Sequence, residues 1–130
     1  FIELRLEAIS LAILDDVDLL PHKQSLAGLL SGGQLRLLEM AKLHALGGSL
    51  VLIDEPTAGV SPVLRGELRN AISQLAKKHG RTIVIIEHDL KFLFDLVDRV
   101  VVLVDGKKYM EGKPKEVQND ARLREVYFGA

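Results

Sequence analysis

Three short apolar runs and a stretch of helical periodicity organise this chain. The runs are Leu50-Val51-Leu52-Ile53, Thr82 to Ile86 and Arg99 to Val104. Each is rich in β-branched residues and too short for a typical helix, which suits strands, and the first suits one buried on both faces of a parallel sheet. The first run ends in two carboxylates and a proline, Asp54-Glu55-Pro56, and Pro56 has no N–H with which to continue a ladder. The second ends in Glu87-His88-Asp89. Between them Leu64, Leu68, Ala71, Ile72 and Leu75 recur with a period of 3.6, opened by Ser61-Pro62 and closed by Gly80. Strand, crossover helix and strand make a right-handed βαβ unit. That unit brings His88 to the same sheet edge as Asp54 and Glu55, the carboxyl edge at which open α/β sheets bind ligands.

Upstream, Ile2, Leu6, Ile9 and Ile13, widened by Leu4, Leu11 and Leu14, predict a helix packed on a neighbour. Asp15-Asp16-Val17-Asp18 follows. It lacks the glycine and the distal glutamate of a calcium loop, so it reads as a solvated helix end. Pro21-His22-Lys23 predicts a loop with His22 on the surface. Ser31 is a natural N-cap for a helix running through Leu35 to Leu46. Gly32 and Gly33 would let an anion approach free N–H groups at the positive end of that helix. A plain Ser-Gly-Gly capping turn would have the same composition. Gly47-Gly48 ends the helix. Downstream, Asp89 can cap a helix from Leu90 to Val97, and Asp105-Gly106 signals a tight hairpin turn into a strand from Lys107 to Glu111. Gly112 to Ala130 reads as one or two short polar helices, with Tyr127 and Phe128 packed back on the body.

A length of 130 residues suits one domain or part of a larger one. An apolar content of 48% is enough for a real core. With 17 Lys and Arg against 18 Asp and Glu, net charge is close to zero, which gives no electrostatic reason to expect nucleic acid or an anionic membrane as partner. There is no cysteine. Disulfides and thiolate metal sites are therefore excluded, and a reducing compartment fits. No apolar run approaches the length of a membrane span, and no signal peptide is visible. The chain opens on Phe1 inside a helical pattern, so a fragment or processed product is expected.

Leu30-Ser31-Gly32-Gly33-Gln34 is identical to the signature motif of ABC-type ATPases. Leu50 to Glu55 resembles their Walker B strand with its following glutamate, Ala58 to Ser61 their D-loop and His88 their switch histidine. Four motifs in the right order make this resemblance specific. It runs from about Ala8 to the end. It implies an α/β fold: the C-terminal part of a P-loop NTPase (RecA-like) three-layer domain, residues 47–130, with part of the ABC helical subdomain, residues 1–46. Ile86-Glu87-His88-Asp89, the segment from Asp105-Gly106 to Gly112-Lys113-Pro114, and Val126-Tyr127-Phe128-Gly129 resemble the ATPases of branched-chain amino acid importers. The lipopolysaccharide exporter ATPase has a similar tail. Ser61 departs from the acidic residue usual in the D-loop. No G-x-x-x-x-G-K-[ST] occurs in the chain. Gly106 to Gly112-Lys113 comes nearest, but Pro114 replaces the Ser or Thr and the segment lies on a hairpin. The family's P-loop, adenine-stacking aromatic and Q-loop are expected upstream of Phe1.

The resemblance implies two ATPase subunits packed head to tail around ATP and Mg²⁺. Ser31, Gly32 and Gly33 would hold the γ-phosphate of an ATP bound to the partner, with Gln34 close by. Asp54 would hold Mg²⁺ through water, Glu55 would orient or deprotonate the attacking water, and His88 would contact the γ-phosphate. The further partners implied are transmembrane permease subunits, with the ATPase cytoplasmic and peripheral on the inner face of the membrane. A non-transport ABC ATPase of DNA repair or translation is one alternative. A non-catalytic half-domain completing a partner's site is another.

Overall fold

The computed structural model describes residues 2–121 and Leu123. The chain divides into two compact units, Phe1–His88 and Asp89–Ala130. The first contains helix α1 (Ile2–Asp16), two 3-10 turns, helix α2 (Gly32–Leu46), strand β1 (Leu50–Asp54), helix α3 (Pro62–Lys77) and strand β2 (Thr82–Ile86). The second contains helix α4 (Leu90–Phe94), strand β3 (Val100–Val104), strand β4 (Lys107–Gly112) and helix α5 (Pro114–Gln118). Among the described residues no helix is long and apolar enough to cross a membrane. The expected packing of Tyr127 and Phe128 falls outside the described residues.

In the first unit β1 and β2 pair in parallel, from Leu50 opposite Thr82 to Asp54 opposite Ile86, with α3 as the crossover. The periodic stripe of α3 is its buried face: Leu68, Ala71, Ile72 and Leu75 are all buried. Leu37, Met40 and Ala41 of α2, which packs on α3, and Val51 and Ile53 of β1 are buried as well, each large aliphatic side chain stabilising the fold by about 1.5–3 kcal/mol. The expectation that β1 is covered on both faces is not met. Its burial alternates, and Leu52 of β1 is 70% and Ile86 of β2 is 64% exposed. The helices cover one face of the pair, and nothing among the described residues of this unit covers the other. Helix α1 also departs from expectation. It touches α2, but Ile2, Leu4, Leu6 and Ile9 lie exposed, and only Leu11, Ile13 and Leu14 are half-buried.

Helices α2 and α3 run side by side in the same direction. Gly33 at the start of α2 abuts Leu64 at the start of α3, and the His44 ring in the last turn of α2 meets that of His79 just beyond α3 at 3.9 Å and a 47° tilt. Because α3 starts shortly after the carboxyl end of β1, both helix N-termini stand at that end of the unit. At the opposite end Arg81 donates to the carbonyls of Leu43 (2.7 Å) and His44 (2.8 Å), satisfying the last carbonyls of α2. Asp16 is not the solvated residue expected from its acidic neighbours. It pairs with Lys78 and His79 and is largely buried. The hydrogen bond from Lys78 holds its carboxyl below the usual range, against the opposing effect of burial. Burial, and then repulsion from His79, holds the His44 imidazole below its ordinary value.

In the second unit β3 and β4 form an antiparallel hairpin. Asp105 (φ 49°) and Gly106 (φ 73°) are both left-handed, as a two-residue hairpin turn of this hand requires. A register shift after Val102 leaves Tyr109 as the extra residue of a bulge. β3 pairs with β4 alone among the described residues. Val100, Val102, Val117 and Leu123 make its core. Asp89 caps α4 by accepting from the Phe92 N–H at 3.0 Å, and the helix stops at Phe94, short of the expected Val97.

Candidate functional site

The β1 ladder delivers Asp54 as its last residue and Glu55 immediately beyond. Glu55 takes φ 42°, left-handed for a residue with a side chain, which costs on the order of 1–3 kcal/mol and is found where function or tight turning requires it. Two hydrogen bonds hold it there: Glu55 N–H donates to the Ile86 carbonyl at 2.9 Å, and Ala58 N–H donates to the Glu55 carbonyl at 3.1 Å. The turn aims the Glu55 carboxylate at His88, whose Nδ1 lies 3.4 Å from Oε1. Both side chains are exposed, at 53% and 71%, so the pair can reach a solvent-borne ligand. Asp54 is exposed and makes no hydrogen bond or ion pair among the described residues. It opens onto a groove of about 300 Å³ walled by Arg36, Met40, Leu43, Leu52 and Pro56.

Beneath this pair lies a residue that sequence reasoning did not single out. The Glu87 side chain is fully buried. Its Oε1 accepts from the Thr57 N–H (2.8 Å) and the Thr57 hydroxyl (2.5 Å), and its Oε2 accepts from the His88 N–H (2.9 Å). One carboxylate thus latches the turn after β1 to the turn after β2, and Thr57 is itself buried. Buried charge is tolerated when its oxygens are satisfied in this way. The available signal was an acid directly beside His88 at the end of a buried run, but no spacing pointed from it to Thr57.

Ser31 to Gln34 open α2 as a capping box. Gln34 N–H donates to Ser31 Oγ (3.3 Å), and Ser31 N–H donates to Gln34 Oε1 (2.9 Å). This fixes the amide, so the Gln34 NH₂ faces His22 Nε2 at 2.8 Å and that nitrogen must accept. His22 is therefore half-buried and partnered, not the free surface residue expected. The glycines differ from each other. A Cβ on Gly32 would meet open space, whereas one on Gly33 would fall 2.2 Å from Leu64 Cδ1 and 3.3 Å from its Cβ. Any side chain at Gly33 would force Leu64 to move, so this glycine serves helix packing whatever else it does. Gly33→Ala should destabilise the fold by about 1–3 kcal/mol through overpacking, read by urea unfolding, and the loss should shrink when Leu64→Ala is added. Among the described residues no hydrogen bond links this turn to Asp54, Glu55 or His88, although both groups stand at the same end of the unit.

No protein-family model matches the chain. It is 40% identical over 101 residues to the probable branched-chain amino acid transport ATP-binding protein LivG of Archaeoglobus fulgidus, covering 78% of this chain and 39% of that protein. It is 34% identical over 116 residues to the high-affinity branched-chain amino acid transport ATP-binding protein LivG of Salmonella typhimurium, covering 89% and 46%. The crystal structure of an ATP-binding cassette of an ABC transporter in its ADP conformation superposes with a TM-score of 0.80 at 33% identity, over 93% of this chain and 49% of that one. The chain thus spans less than half the length of these curated relatives. Over this span its fold is that of the matching half of the nucleotide-binding domain of ABC ATPases, an α/β fold of the P-loop NTPase class. Within that class its homologues are branched-chain amino acid transport ATP-binding proteins.

Proposed function

We propose that these residues form the signature-motif and Walker B part of an ATP-hydrolysing ABC transporter subunit serving amino acid import. The observation that supports this most directly is the pairing of Glu55 with His88 at 3.4 Å beside Asp54, at the end of the unit where the Ser31-Gly32 turn also stands. In this reading residues 1–46 belong to the helical subdomain and 47–130 to the ATPase core. Asp54 is free of protein partners among the described residues, and a carboxylate oxygen suits the hydrated shell of Mg²⁺. When bound, Mg²⁺ and ATP supply the phosphoryl centre and neutralise its charge.

Glu55 accepts the proton of the attacking water or orients that water, and His88 donates toward the γ-phosphate. The Glu87 latch keeps the two at a fixed separation. Ser31, Gly32 and Gly33 present hydroxyl and backbone N–H groups to the γ-phosphate held by a second subunit, and Gln34 buttresses that turn through its contact with His22. The phosphate-cradling loop is not among these 130 residues, so other polypeptide contributes it. The ATPase would act as a head-to-tail pair, peripheral on the cytoplasmic face of the membrane through permease subunits.

Ser31→Arg tests the arrangement. In the complete ATPase the arginine breaks the capping box and fills the space meant for the partner's phosphate. ATP-driven dimerisation, followed by light scattering, should be lost while the monomer stays folded. Unchanged dimerisation would remove the Ser31 turn from the interface.

A further inference from the structure

The reading above leaves unused a second cluster, at the end of the first unit opposite Glu55 and His88. Asp16 is the last residue of α1, His44 sits in the last turn of α2, and His79 follows α3. Asp16 Oδ2 lies 3.7 Å from His44 Nδ1 and 3.3 Å from His79 Nε2. One ligand atom from each residue falls within 4.8 Å of the others. The three side chains are only 15%, 15% and 24% exposed. Around a zinc ion with bonds of about 2.0–2.1 Å, tetrahedral ligands stand roughly 3.3 Å apart. The two spacings from Asp16 already approach that distance, and the two imidazoles would close from within 4.8 Å.

Charge balance alone does not account for the cluster. Lys78 already neutralises Asp16 through Oδ1, yet one imidazole from the last turn of α2 and one from just beyond α3 still lie within 3.7 Å of Oδ2. We propose that Asp16, His44 and His79 bind one transition-metal dication of the Zn²⁺ class, tying together the C-terminal ends of α1, α2 and α3. Lys78 and Arg81 add positive charge nearby, which disfavours Ca²⁺ and Mg²⁺, since those ions rely on oxygen donors and net negative charge. Direct bonds to two nitrogens favour an ion that prefers imidazole. The negative ends of three helices offset part of the cationic surroundings. Burial also holds the His44 imidazole below its ordinary value, the direction that favours the neutral form a metal takes. Binding replaces the contact between His79 and Asp16, and any proton on His79 Nε2 passes to Nδ1 or to solvent. A fourth position is left for water.

The test is titration of the protein with Co²⁺ as a visible probe, without nucleotide or Mg²⁺, followed by competition with Zn²⁺. One equivalent of Co²⁺ should give the absorption of a low-coordinate nitrogen-ligated site. Zn²⁺ should displace it and raise the melting temperature. His44→Gln or His79→Gln should weaken binding by at least about 100-fold, beyond the range typical of outer-shell changes, whereas His22→Gln and His88→Gln should leave it unchanged. No stoichiometric uptake at micromolar metal, or uptake lost on changing His88 and not His79, overturns the proposal. Histidine ring resonances of the unaltered protein give a second reading independent of variant folding. Zn²⁺ should shift those of His44 and His79 and spare those of His22 and His88, and the reverse pattern refutes the site.

Discussion

Glu55→Gln in the complete ATPase is expected to lower ATP turnover by roughly 10²–10⁴-fold, the range of a lost general base, while ATP binding survives. The amide is nearly isosteric, so it preserves the turn that Ile86 and Ala58 pin and keeps an oxygen within reach of His88. What it cannot do is take a proton or present full negative charge to a water molecule. The two measurements are phosphate release and equilibrium nucleotide binding. Turnover at the parent rate would take Glu55 out of the chemistry, and loss of binding with turnover would make its role structural.

The second large effect is expected at Glu87, a residue with no proposed contact to substrate. Glu87→Ala leaves the Thr57 N–H, the Thr57 hydroxyl and the His88 N–H without their acceptor. The two Thr57 donors, so orphaned, cost about 1–3 kcal/mol each, whereas the exposed His88 N–H turns to water, and water entering the gap recovers part of the rest. A net loss of roughly 2–4 kcal/mol is expected in chemical denaturation. Turnover of the complete ATPase should fall as well, because the turn that carries Glu55 is no longer tied to the turn that carries His88. Glu87→Gln is the sharper version. It keeps the volume but sets an NH₂ against either Thr57 or the His88 N–H. Stability within about 0.5 kcal/mol of the parent, the range of ordinary surface changes, would show that the latch carries no weight.

The elements legible in the sequence were those whose information is local. The β-branched runs of β1 and β2, the 3.6-residue stripe of α3, the Ser31 cap and the Asp105-Gly106 turn each declare themselves within a few residues. The meeting of Glu55 with His88 was legible as well, because strand-helix-strand connectivity decides which edge each strand end reaches. Pairings set by the tertiary fold were not legible. Gln34 meets His22 across 12 residues, Thr57 meets Glu87 across 30, and Asp16 meets His79 across 63. No spacing rule connects positions so far apart. Composition also overstated burial. The residues of β1 and β2 are apolar on both faces, and the pattern could not say that helices cover only one of them. Gly33 shows the same limit from the other side, since a glycine that admits a phosphate and a glycine that admits a leucine look identical in sequence.

The uncovered face of β1 and β2 has a thermodynamic consequence. Leu50, Leu52, Val84 and Ile86 are already in water in the native fold, as are Ile2, Leu4, Leu6 and Ile9 of α1. Unfolding cannot expose that surface a second time. The heat-capacity increment and the steepness of a denaturant transition both follow the surface newly exposed. The chain should therefore melt over a broader range, and yield to urea more gradually, than a fully covered domain of 130 residues.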